Sequence, residues 1–190
     1  ARMARAGLPT VQLRVKSQDA TAVRAEIRAA VAAVQGTASL LFINDHWREA
    51  IAAGAYGVHL GQEDLDQLSA AELGEIRDAG LRLGLSTHGY AEMLRADAVN
   101  PSYLALGAVF PTTLKAMVTP PQGTGRLQAY ARLMRTRSLV AIGGISAEQL
   151  PEIAASGVGS VAVVRAITGA EQPEASAAAL LQRWDALQKI

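Results

Sequence analysis

SYLALGAVFPTTLK, residues 102–115, runs apolar as far as Phe110, stops at Pro111, and then presents two threonine hydroxyls and the Lys115 ammonium group. An apolar run of strand length closed by proline reads as a buried strand with a loop behind it. The same unit recurs along the chain. TVQLRVK (10–16), SLLFIND (39–45), YGVHLGQ (56–62), LRLGLST (81–87), SLVAIGG (138–144) and SVAVVRAI (160–167) are strand-like. Helical stretches are expected near 19–35, 46–53, 68–79, 89–98, 124–135, 146–155 and 173–188, and Gly54, Gly80 and Gly157 stand where helices should stop. Alternating strands and helices imply an α/β fold with a parallel sheet and outer helices.

Residues 1–6 read as the end of a helix, so the expectation is a single-domain (β/α)₈ TIM barrel over 1–190 whose first strand is missing ahead of Ala1. The competing architecture, an open doubly wound sheet, finds no G-x-G-x-x-G turn to support it.

Bulk composition narrows the function. Half of the 190 residues are hydrophobic, only 4% are aromatic, and 18 basic side chains offset 17 acidic ones to a net charge of +1. That balance gives no reason to expect nucleic acid or an anionic membrane as partner, and the aromatic poverty argues against base stacking. There is no cysteine, hence no disulfide and no thiolate metal site. With no bilayer-length apolar run and no signal peptide, a cytoplasmic protein is the expectation, and a homo-oligomer is compatible with it.

Polar residues gather at the strand ends. Gln12, Arg14 and Lys16 alternate along the first run, so one face carries all three. Asn44-Asp45, Asp64, Ser86 and the Thr112–Lys115 group follow later runs. In a parallel barrel these ends form the active-site face. Burying unpaired charge is costly, and its recurrence at successive strands suggests one highly charged ligand. Thr112, Thr113 and Lys115 suit phosphate oxygens. Gly143-Gly144 would let backbone N–H groups approach an anion, and the Arg165 region follows the last strand, where barrels often bind phosphate. Asp45 and Asp64 are hard carboxylates suited to Mg²⁺. Each has a plainer reading: Asp45 as N-cap of 46–53, Gly143-Gly144 as a turn, His59 as a core histidine, Trp47 and Trp184 as packing residues.

Taken in order, VQLRVK, FIND, GVHLGQEDL, GLSTHG, LGAVFPTTLKAM, VAIGGI and VAVVRAI resemble the thiamine phosphate synthases, over nearly the whole chain. GVHLGQED and FPTTLK are highly specific blocks. The resemblance implies a (β/α)₈ enzyme joining hydroxymethylpyrimidine diphosphate to thiazole phosphate, with release of pyrophosphate. It further implies that Gln12, Arg14, Lys16 and Asn44 bind the pyrimidine diphosphate and that Asp45 and Asp64 hold Mg²⁺. Ser86 and Lys115 would meet pyrophosphate, Thr112 would lie in the loop between the substrates, and Gly144 would contact the thiazole phosphate. Two positions depart from the pattern. Leu114, preceded by Thr113, replaces a frequent threonine, and Arg165 replaces a frequent serine. Two rivals stand beside this reading. A thiazole tautomerase of the same superfamily would carry histidine where this chain has Ala108. A non-catalytic thiamine-binding barrel would need no Mg²⁺ carboxylates.

Overall fold

The computed structural model of the chain describes residues 1–113 and 119–189. It is an α/β fold in which parallel strands follow one another in sequence order. Two compact units divide it, Ala1–Leu85 and Ser86–Ile190.

The first unit opens with α1 (Arg2–Arg5) and β1 (Thr10–Leu13), then α2 (Ala20–Val34), β2 (Leu40–Asn44), α3 (Trp47–Ala53) and β3 (Gly57–Leu60). After these come α4 (Gln62–Gln67), α5 (Ala70–Asp78) and most of β4 (Arg82–Thr87). Gln12 pairs with Phe42, Asn44 with His59 and His59 with Gly84, all in parallel ladders. The Asp19 carboxylate caps α2 by accepting from Thr21 N at 2.8 Å, and Val23 and Ile27, one turn apart, bury its inner face. Ile43, Leu60 and Leu85 are fully buried from successive strands.

The second unit begins with the last two residues of β4. Thr87 O accepts from Gly107 N, and Thr87 Oγ1 donates to Ala105 O, both at 3.1 Å. It continues with α6 (Tyr90–Ala98), β5 (Tyr103–Leu106), α7 (Gly123–Leu133), β6 (Leu139–Ile142), α8 (Leu150–Ala154), β7 (Ser160–Ala162), α9 (Arg165–Thr168) and α10 (Pro173–Leu187). Leu104, Leu106, Leu127, Leu150 and Ile153 form its core. Trp47 and Trp184 are buried packing residues in their respective units, as read from the sequence.

Three sequence expectations are corrected. The first run was expected to be strand through Lys16, but β1 ends at Leu13. Its partner explains why: Leu13 pairs with Ile43, and β2 ends one residue later as the chain turns at Asp45. The last run was expected to be strand through 167, but β7 stops at Ala162, opposite Ile142, just before the Gly143-Gly144 turn ends β6. Arg165 therefore opens a helix. The third run was expected to be strand through Gln62, but β3 ends at Leu60 and QEDLDQ is helical, because Asp64 Oδ2 accepts from Gly61 N at 2.9 Å and caps it. Among the described residues no helix is long and apolar enough to cross a membrane.

Candidate active site

In the first unit the strand ends bring polar groups together. Gln12, Arg14 and Lys16 are exposed while Val11, Leu13 and Val15 are half-buried, the alternation expected of one polar face. Gln12 Nε2 donates to Asn44 Oδ1 at 2.7 Å, tying the end of β1 to the end of β2. Asp45 follows with φ +67°, in the left-handed region that few residues other than glycine adopt, though Asp and Asn tolerate it. Its N–H donates to His59 O at 3.0 Å, and its carbonyl accepts from Trp47 N at 2.8 Å. The N-cap reading of Asp45 is overturned: His46 occupies the N-cap of α3, and no side chain caps there. A residue locked in an uncommon conformation with its carboxyl directed elsewhere fits a functional site.

That carboxyl meets Asp64. Asp45 has its pKa raised, first by burial, then by the negative charge of Asp64 and by a hydrogen bond between the two carboxyls; the Arg14 guanidinium opposes the rise. The backbone clasp on Gly61 fixes Asp64 from α4. His59, 5% exposed, is held neutral by burial, its pKa driven down to about 4 against the opposing pull of Asp64. It is a core histidine beside the acid pair. Among the described residues no group of three or more His, Asp or Glu side chains gathers as a ready cation cage. Two adjacent carboxylates nevertheless suit Mg²⁺, which takes one or two protein carboxylates and completes its shell with substrate phosphate and water. The mutual repulsion that raises Asp45 is what a divalent cation would relieve.

The second unit carries a different surface. Ser86 is half-buried at the end of β4, and His88 just beyond it is clasped by Glu92, whose Oε2 lies 2.8 Å from both His88 N and Nδ1. After β5 the chain runs through Phe110 to Thr112, half-buried, and Thr113, exposed. It returns where Gln122 N and Gly123 N donate to Ala108 O and Val109 O at 2.8 and 2.9 Å. Leu114 and Lys115 lie outside the described residues. Gly143 and Gly144 turn with φ +99° and +68°. A Cβ on Gly144 would sit 2.5 Å from Pro111 O and 2.8 Å from Phe110 Cβ, so only glycine lets the two loops touch. The N–H groups of Gly143 and Gly144 have no acceptor among the described residues. Arg165 is exposed at the start of α9, without an ion-pair partner among the described residues.

A scan against family models matches residues 1–167 to thiamine monophosphate synthase. The chain belongs to the thiamine monophosphate synthase family. A thiamine-phosphate synthase from Neisseria meningitidis is 54% identical over 184 residues, 97% of this chain and 88% of that protein. Another, from Photorhabdus laumondii, is 49% identical over 95% of this chain and 82% of its own length. Among solved structures, a thiamine phosphate pyrophosphorylase from Pyrococcus furiosus superposes with a TM-score of 0.83 at 27% identity, over 98% of this chain and 88% of that one. An orotidine 5'-phosphate decarboxylase from Pyrococcus horikoshii, with TM-score 0.69 at 11% identity, shares the fold alone.

Against this family background the structure adds one residue that sequence reading passed over. Thr119 Oγ1 is buried without a hydrogen-bond partner among the described residues. One hydroxyl ahead of Pro120-Pro121 carries no periodic signal and reads only as loop.

Proposed function

We propose that the chain joins hydroxymethylpyrimidine diphosphate to thiazole phosphate, forming thiamine phosphate and releasing pyrophosphate. The observation that carries this reading is the Asp45–Asp64 carboxyl pair, with Arg14 close enough to act on it. Family membership and the relatives' names support it. We also place the strands in a (β/α)₈ barrel frame, on the strength of their parallel sequence order and the Pyrococcus furiosus likeness.

Asp45 and Asp64 would hold Mg²⁺, which when bound supplies positive charge to diphosphate oxygens. Arg14, Lys16 and Lys115 offer cations, and Ser86 a hydroxyl, to the departing pyrophosphate, where negative charge grows as the CH₂–O bond ionises. Gln12 and Asn44, already bonded to each other, present amides to the pyrimidine substrate. Thr112, Thr113, the Gly144 N–H and the Arg165 guanidinium are assigned to the thiazole phosphate. The thiazole nitrogen attacks the CH₂ carbon, so no protein nucleophile or base is needed. We place the enzyme in the cytoplasm. The tautomerase alternative needs an acid–base group at position 108. Ala108 offers a methyl, 6% exposed, and its Cβ lies 2.5 Å from where a Cβ on Gly143 would stand.

A Mg²⁺ titration of turnover for Asp64→Ala tests this reading. The account expects at least a ten-fold rise in the Mg²⁺ requirement together with lost activity, and a thermal midpoint within a few degrees of wild type. An unchanged Mg²⁺ requirement and rate would remove the pair from the mechanism.

A further inference from the structure

We infer that the Thr119 hydroxyl is a binding group for the phosphate of the thiazole substrate, an inference that rests on the function proposed above. Thr119 Oγ1 is buried and bonded to nothing among the described residues. Orphaned buried hydroxyls are rare in native structures, because folding strips their water without replacing it. Thr119 lines a cavity of about 280 Å³ together with Ala108, Phe110, Pro111, Thr112 and Pro121. Four of those six residues are apolar. The polar side chains are two threonines, with no carboxylate among them, so the cavity suits an acceptor-rich ligand rather than a cation.

The location points to phosphate. Pro111 and Phe110, two of the lining residues, are also the residues packed against Gly144, whose N–H has no acceptor among the described residues. Gln122 N and Gly123 N donate back to Ala108 O and Val109 O, and Thr119 lines the same cavity as Thr112. One hydroxyl and one backbone amide, both lacking acceptors, thus border the same pair of loops.

The test compares Thr119→Val, which keeps shape and removes the hydroxyl, with Thr119→Ser, which keeps the hydroxyl. Calorimetric titration with thiazole phosphate and with inorganic phosphate is paired with KM values for both substrates. Thr119→Val should weaken thiazole phosphate about 10- to 100-fold, as expected for a lost hydrogen bond to a charged group. The pyrimidine diphosphate KM should stay unchanged and the thermal midpoint should not fall, since an unpaired hydroxyl leaves the interior; Thr119→Ser should bind within a few-fold of wild type. If Thr119→Val binds thiazole phosphate as tightly as wild type, or loses both substrates equally, the inference is overturned while the proposed function stands. If Thr119→Val does not fold, Thr119→Ala decides: thiazole phosphate affinity as tight as wild type, or a loss equal to its loss of pyrimidine diphosphate affinity, overturns the assignment. Wild-type protein that neither binds thiazole phosphate nor turns it over contradicts the proposed function, and this inference with it.

Discussion

Asp45 combines two local penalties: a backbone at φ +67° and a carboxyl whose charge is resisted by burial and by Asp64. Substitution can separate them. Asparagine tolerates the left-handed backbone and carries no charge, whereas alanine pays for that conformation, about 1–2 kcal/mol. Because the folded pKa is raised, the favourable contribution of the carboxyl is present below its unfolded value of 3.8 and is lost as pH rises through the folded value. Metal-free Asp45→Asn should therefore unfold at a higher temperature than wild type at pH 7, and the gap should close as pH falls towards 4. Asp45→Ala should gain less or lose stability, and both should lose Mg²⁺-dependent turnover. Thermal scans across pH without metal check this; equal midpoints for wild type and Asp45→Asn at pH 7 would contradict the assigned electrostatics.

At the scale of elements, β3 carries a titratable group into the core. His59 is buried with its pKa lowered to about 4, so folding favours its neutral form. The stability this gives is present above the unfolded value of 6.5 and is lost as pH falls from there through about 4. The full cost is on the order of 3 kcal/mol. Denaturant titrations at pH 7 and 4.5 should show much of it for wild type, and a distinctly smaller acid loss for His59→Gln; identical acid losses would mean that other groups dominate. The β6–α8 turn makes a second prediction. Gly144→Ala must accommodate both φ +68° and a contact with Pro111 O, costing at least about 2 kcal/mol. It should raise the thiazole phosphate KM as the two loops part, and kinetics together with denaturation read both effects. The strands themselves were legible in the sequence, because apolar runs such as SYLALGAVF have no other good reading. Their ends were not. Leu13 and Ala162 terminate strands because Asp45 and Gly143 turn the partner chain away, a constraint residing in a different segment. The site shows the same division. Asp45, Asp64 and Gly144 stand out as candidates by residue type and position, while the orphaned Thr119 hydroxyl depends on burial that only the folded chain defines.

For the whole molecule, a net charge of +1 provides almost no long-range attraction for the two anionic substrates proposed above. On the proposed function, affinity is assigned to local groups: Arg14 and Lys16 past the end of β1, and the hydroxyls and glycine amides in the loops after β5 and β6. The proposed function stands or falls on the coupling reaction itself. The decisive measurement follows pyrophosphate and thiamine phosphate together in purified protein supplied with hydroxymethylpyrimidine diphosphate, thiazole phosphate and Mg²⁺. The account predicts one pyrophosphate per thiamine phosphate, with turnover abolished by omitting either substrate or by chelating the metal. No thiamine phosphate under saturating substrates and Mg²⁺, or pyrophosphate release that continues without thiazole phosphate, would contradict it.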